Sequence, residues 1–303
     1  MNRKLKSSFF CLLTAIIWGF AFVAQVDSAD KITPFLYNGT RFVLGAAALL
    51  PVIFLFENKN EKNQSKKIST KDTVKYGIIC GAILFVASIF QQIGINLQPN
   101  AGKAGFITSV YTVLVPIFCF ILFRKKSNWN VWLGALLATV GLYLLCVKNG
   151  FGSISQSDLV IFTGAIFWAF HIIAIDRFIS KVSPIKFSAI QFLTCGILGL
   201  ILSFIFERNT LTEIIIQYKD AYISILYAGI MSSGLAYTFQ ALGQRDSDPT
   251  VAAILLSCES IFAAVGGLIF RTDEVLDVTS YIGCAIIFAA IIISQFEFKS
   301  IKK

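Results

Sequence analysis

The chain's most constraining feature is a run of about twenty apolar residues that recurs along nearly its whole length. A hydrocarbon core about 30 Å thick is crossed by roughly 20 residues of helix. Marking such runs gives ten spans, at about 8–27, 33–56, 74–97, 101–123, 130–147, 158–175, 185–206, 221–243, 248–270 and 280–297. The connectors are short, and the longest, Glu57 to Thr73, is polar and carries five lysines. That leaves no room for a soluble domain. Composition agrees: 56% of the 303 residues are hydrophobic and 14% charged, against about 25% charged in a soluble domain. The reading is an all-α integral membrane protein with the lipid bilayer as its first partner.

The formal net charge of +9 would suggest nucleic acid in a soluble chain, but here the basic residues sit between apolar spans. With the N-terminus inside, nineteen of the 26 Lys and Arg fall on the inner side, from Arg3 through Lys303. Six fall outside (Lys31, Lys103, Lys148, Arg208, Lys219 and Arg271), and Arg41 lies within a span. The positive-inside rule then places both termini in the cytoplasm, predicts a multi-pass protein of the cell (inner or plasma) membrane, and excludes a nucleic-acid partner. The basic start followed by an apolar run imitates a signal peptide. The run is too long for one and no small-x-small cleavage site follows, so it is read as a retained first helix. The seven cysteines lie within apolar stretches, with no CxxC pair. They are read as small hydrophobes, with no disulfide framework and no metal site.

The second half repeats the first. Ala15-Ile16-Ile17-Trp18-Gly19-Phe20 matches Ala165-Ile166-Phe167-Trp168-Ala169-Phe170 at an offset of 150 residues, and Thr33-Pro34 through Arg41-Phe42 matches Ser183-Pro184 through Gln191-Phe192. Gln92 matches Gln240 at 148, and Gly134 matches Gly283 at 149. Two repeats follow, 1–148 and 149–303, with five spans each. Five is odd, so the second repeat enters the membrane from the opposite side. Two inverted five-helix repeats are an architecture of secondary transporters, with a site near the midplane between the halves.

Polar residues at membrane depth mark cavities or interhelical bonds. Ser88, Gln92 and Asn96 form one stripe on span 3; Ser233, Tyr237, Gln240 and Gln244 form another on its repeat partner, span 8. Both are read as lining a pathway, the competing reading being interhelical hydrogen bonding. Trp18 and Trp168, ten residues into symmetry-related spans, sit near the midplane rather than in an interfacial belt. They read as cavity wall or gate, or as core packing. Glu259 lies about ten residues into span 9, where a charge costs about 2.5–3.5 kcal/mol. It is either a proton- or cation-sensing carboxyl or a neutral group bonded to backbone. Arg41 either binds a substrate carboxylate, pairs with Glu259, or snorkels outward; its symmetry mate is Gln191. His171, the single histidine, shares a face with Trp168 and is a proton carrier or a neutral hydrogen-bonded group.

With Arg41 in span 2, the Trp18-Gly19 start, Gln91-Gln92-Ile93-Gly94, Ala101-Gly102-Lys103-Ala104-Gly105-Phe106-Ile107, Pro249-Thr250-Val251-Ala252-Ala253 and Ser257-Cys258-Glu259-Ser260, the chain resembles the EamA family of the drug/metabolite transporter superfamily over essentially its whole length. The resemblance implies a basket in which spans 1–4 and 6–9 surround a central cavity, with spans 5 and 10 peripheral, and an activity of exporting small metabolites such as amino acids. Two departures stand out. Ser260 replaces the proline often found after the Glu of span 9, while Pro116 predicts a kink in span 4. Arg124-Lys125-Lys126 replaces the Gly-Glu after span 4, and only Glu274 remains of it after span 9.

There is no GxxxxGK[ST], no HExxH and no GxSxG at a plausible site, so neither ATP hydrolysis nor catalysis is expected, and no cofactor. The expected activity is alternating-access export of a small neutral or zwitterionic solute, with protons as a candidate coupling ion, by a monomer or weak homodimer. Nucleotide-sugar or lipid-linked cargo, an intramembrane enzyme, and a sensor keeping the carrier fold are the alternatives.

Overall fold

The structure, a computed structural model, describes residues 3–54, 69–125, 127–146, 155–270 and 278–295. The described residues form thirteen α-helices and no strands. They are α1 Arg3–Asp27, α2 Pro34–Val52, α3 Thr70–Leu97, α4 Ala101–Ser109, α5 Tyr111–Phe123, α6 Trp129–Cys146, α7 Gln156–Phe178, α8 Pro184–Leu202, α9 Leu211–Leu226, α10 Tyr237–Gln244, α11 Pro249–Leu256, α12 Glu259–Phe270 and α13 Val278–Gln295. A π-helical stretch, Tyr227–Ala236, joins α9 to α10 without a break.

Local sequence sets the starts. Pro34, Pro184 and Pro249 each stand at the first helical turn, where a missing N–H costs nothing. Ser155 with Asp158 and Thr210 with Glu213 form capping boxes, satisfying N–H groups that hydrocarbon would otherwise strand. Asn100 and Asp248 cap α4 and α11, and they are repeat mates 148 residues apart.

Eight helical spans are long and apolar enough to cross a membrane. They correspond to expected spans 1–4 and 6–9. At the fifth and tenth positions the described apolar helices are shorter, Trp129–Leu144 and Tyr281–Ser294. The whole helices α6 and α13 have 18 residues each, so among the described residues eight full apolar spans are seen and the other two positions hold shorter apolar stretches. Both adjoin residues outside the described set, and most of the lysine-rich connector and all of Arg271 through Glu274 lie outside it.

Helix packing follows the repeat. α3 packs on α7 and α8; the corresponding helix of the second half, the π-helical stretch with α10, packs on α1 and α2. α2 packs on its own mate α8, and α6 on its mate α13. The α2–α8 crossing is very close: a Cβ added at Gly39 would lie 2.7 Å from the Leu200 amide nitrogen, and one at Gly199 2.7 Å from the Gly39 Cα. Large apolar side chains such as Phe204, Leu211 and Ile223 point outward, which suits lipid contact and not water.

Spans 4 and 9 are each broken. Span 4 breaks between α4 and α5 at Val110, whose N–H bonds to Ile107 and whose carbonyl accepts from Val113. This is the tighter i to i+3 pattern, and it lies six residues before Pro116. Span 9 breaks between α11 and α12 at Ser257-Cys258, again with i to i+3 bonds at Cys258, Ser260 and Ile261. The missing proline therefore does not straighten span 9. The Ser257 hydroxyl bonds back to the Ile254 carbonyl of its own helix, a pattern that bends helices, and the Ser260 hydroxyl bonds across to the Gly105 carbonyl of α4.

Candidate functional site

The two breaks face each other. Tyr111 opens α5 and Glu259 opens α12; they are repeat mates 148 residues apart, and the Tyr111 hydroxyl donates to Glu259 Oε1 at 3.0 Å. Beside them the hydroxyls of Ser109 and Ser260 are 2.6 Å apart. Gly19 lets α1 close over this point, since a Cβ there would strike Phe262 and lie 2.8 Å from the Glu259 carbonyl. The Ser260, Ile261 and Phe262 N–H groups bond to the Ser257 and Cys258 carbonyls, so what holds Glu259 at this point is the Tyr111 hydroxyl and not a free helix N-terminus. In many secondary transporters, discontinuous helices at matching positions of two repeats form the substrate site.

A cavity opens at this crossing. α1 contributes Trp18, Phe22 and Gln25; α2 contributes Arg41; α3 contributes Gln91; α4 and α5 contribute Thr108 and Tyr111. From the second half come Trp168 and Ile172 of α7, Ser232 of the π-helical stretch, Tyr237 and Gln240 of α10, and Glu259 of α12. The lining comes from spans 1–4, 6, 8 and 9, and α6 and α13 contribute none of it. Its free space is about 20 Å³, and a water needs about 10–15 Å³. As the walls stand, the cavity has room for about one water.

Those walls are aromatic. Trp18 meets Tyr237 edge-on at 4.6 Å between ring centroids and Trp168 at 6.1 Å, while Trp168 and Tyr237 stack at 6.0 Å. The Trp18 indole N–H donates to the Ser232 carbonyl at 3.4 Å, within the π-helical stretch. Such stretches are frequent at functional sites.

Of the nine residues singled out from sequence, six line the cavity: Trp18, Arg41, Trp168, Tyr237, Gln240 and Glu259. Arg41 is 2% exposed, so it does not snorkel. Its guanidinium donates twice to Asn38 Oδ1, at 3.0 and 2.9 Å, and lies 4.7 Å from the Phe42 ring centre. Among the described residues its hydrogen bonds run to Asn38 and not to Glu259, which excludes the expected direct pair.

The other three lie behind the wall. His171 Nε2 is 3.1 Å from Gln191 Oε1, and the imidazole packs edge-on against Trp168 and Tyr237. Gln92 accepts from Gln25 and donates to Asn96, and Asn96 donates to the Ala29 carbonyl. That is the interhelical bonding weighed against a pathway role. On α3 it is Gln91 that reaches the cavity, donating to Thr108, so the stripe's direction is off by one residue. Ser232 likewise replaces Ser233, since the wider π winding turns the face. Sequence reading missed Gln25, Gln91, Thr108 and Tyr111. For Tyr111 a signal existed, its position as the repeat mate of Glu259.

Comparison with known proteins agrees with the geometry. The EamA-like transporter family model matches residues 5–147 and again 155–296. An uncharacterized transporter of Archaeoglobus fulgidus is 28% identical over 96% of this chain and 86% of its own length. The uncharacterized transporter YoaV of Bacillus subtilis is 23% identical over 93% of this chain and 94% of its own. A crystal structure at 17% sequence identity superposes with a TM-score of 0.76 over 96% of this chain and 98% of that one, a likeness of fold alone. The protein is thus a multi-pass membrane protein related to transporters, and the chain belongs to the EamA-like transporter family.

Proposed function

We propose that the protein exports small zwitterionic metabolites, amino acids or close relatives, across the cell membrane by alternating access, with both termini cytoplasmic. The observation that carries this is a central cavity lined, among the described residues, by a single arginine from the first half, a single carboxylate from the second, and the rings of Trp18, Trp168 and Tyr237. Arg41 offers a solute carboxylate the guanidinium that Asn38 holds in place. Glu259 and the faces of Trp18 and Tyr237 offer an ammonium a charge partner and π surface. Among the described residues no second Lys or Arg lines the cavity, which weighs against phosphate-bearing cargo. The 20 Å³ of free space requires the walls to part before a solute enters, as an alternating cycle does. Protons are the proposed coupling ion, through Glu259.

The test is release from proteoliposomes loaded with mixed amino acids and common metabolites, followed by mass spectrometry beside empty liposomes and Glu259→Gln. Protein-dependent loss of a few zwitterions, with a pH dependence that Glu259→Gln flattens, is the expected result. No loss from folded protein would end the amino-acid reading, and lipid-linked or nucleotide-sugar cargo would be tried next.

A further inference from the structure

Gln240 is fully buried and lines the cavity, yet among the described residues both ends of its amide, Nε2 and Oε1, lack a hydrogen-bond partner. The Trp168 indole N–H, in the same wall, is also unpartnered. Buried amides are ordinarily bonded, and the other half of the molecule shows how this position can be satisfied. Gln92, the repeat mate of Gln240, exchanges bonds with Gln25 and Asn96. At the position matching Gln25 the second half has Ile175, a fully buried apolar residue. At the position matching Asn96 it has Gln244, whose amide turns to the Ile172 carbonyl. Both partners that quench Gln92 are therefore removed around Gln240.

What remains is a donor and an acceptor side by side in one plane, with a second donor nearby and the flat faces of Trp18, Trp168 and Tyr237 around them. The complement of such an edge is another amide-like edge, which can take two bonds at once, as Gln does with a base that presents neighbouring donor and acceptor. We propose that Gln240, assisted by the Trp168 N–H, selects solutes bearing a carboxamide-type group, a carbonyl with an N–H beside it as in an amide or urea. This deepens the carrier reading and rests on it. Arg41 and Glu259 would take the charged ends of the solute, and Gln240 would read its uncharged polar group.

The experiment uses the full-length protein in proteoliposomes loaded with equal citrulline, arginine, glutamine and glutamate. Citrulline and arginine have one shape, but the urea of citrulline presents a carbonyl beside an N–H where arginine presents donors only. The wild type is expected to release citrulline over arginine, and glutamine over glutamate, by about tenfold, the effect of one buried hydrogen bond. Gln240→Glu, assayed at alkaline pH where the carboxyl is ionised and offers two acceptors, should reverse the citrulline-to-arginine ratio. Gln240→Leu should bring both ratios towards one and tests the proposal if the Glu variant fails to fold. Release that ignores the amide, or ratios unchanged in a folded variant, would overturn the proposal while leaving a carrier. No protein-dependent release of any of the four, when other metabolites do leave, overturns it as well. No release of any solute would overturn the carrier reading and this proposal with it.

Discussion

Asn38 decides where the Arg41 charge sits. It accepts both guanidinium bonds and donates its own amide to the Ser88 hydroxyl at 2.9 Å, so it is a positioning residue one turn from the cation. Asn38→Leu should raise KM for a carboxylate-bearing solute about tenfold with a smaller change in kcat. Asn38→Asp, which keeps the acceptor, should restore most of the loss; kinetics of release with the identified solute would check both. Removing the Tyr111 hydroxyl is a second residue-scale test. Tyr111→Phe takes the bond from Glu259 Oε1 and should change the pH profile of release while the protein stays folded. At this scale the sequence was legible in kind and blurred in direction. Arg41, Glu259 and both tryptophans announce themselves because polar or bulky groups at mid-depth need a reason. Gln91 and Gln92 are adjacent amides 100° apart on a helix, and only the packed structure says which one faces inward.

The spans and their pairing rest on small residues at crossings. Gly39→Ala should destabilise the protein by about 1–3 kcal/mol, because the added methyl meets the Leu200 backbone as well as its side chain, and the backbone cannot yield. Gly234→Ala is the matched control: its nearest neighbour to an added Cβ is 3.5 Å away, and its unfolding temperature in detergent should barely move. Hydropathy alone located eight of the crossing helices, since a twenty-residue apolar run has few alternatives. The break in span 9 was not legible, for it has no proline, and the serine hydroxyls found at it bond to the Ile254 carbonyl a turn away and to the Gly105 carbonyl of another helix. The π winding of 227–236 was equally hidden, for no local motif marks it; its glycines lie against α2, where a Cβ added at Gly229 would meet Leu44 and one at Gly45 would meet Ser233.

Taken whole, the molecule is fastened at both ends of its central cavity. At one end Lys103 bonds to Asp158 at 2.8 Å, tying α4 to α7; at the other Lys125 bonds to Asp248 at 2.8 Å, tying the end of α5 to the start of α11. Burial of the Lys125 amine opposes its charge, but the hydrogen bond and charge of Asp248 outweigh that and hold its pKa above the ordinary lysine range. A raised pKa means the contact is complete below the ordinary value and is lost only as pH climbs through the higher one, so the tie persists through neutral pH. Such partly exposed pairs contribute little to stability, about 0–1 kcal/mol. Asp248→Asn should therefore leave the melting temperature nearly unchanged. Joining positions 125 and 248 by a disulfide, in a background without the native cysteines, should stop release until a reductant is added. A reporter fused after Lys303 should prove cytoplasmic if the charge bias reads the orientation correctly.

The unequal winding of mated helices has a mechanical side. α3 is wound as an α-helix throughout, whereas its counterpart carries ten π-wound residues just before Tyr237 and Gln240. A helix that changes its pitch over part of its length must turn whatever lies beyond. Rewinding that stretch would act as a screw thread, converting a small advance along the axis into rotation of the aromatic and amide groups that close the centre.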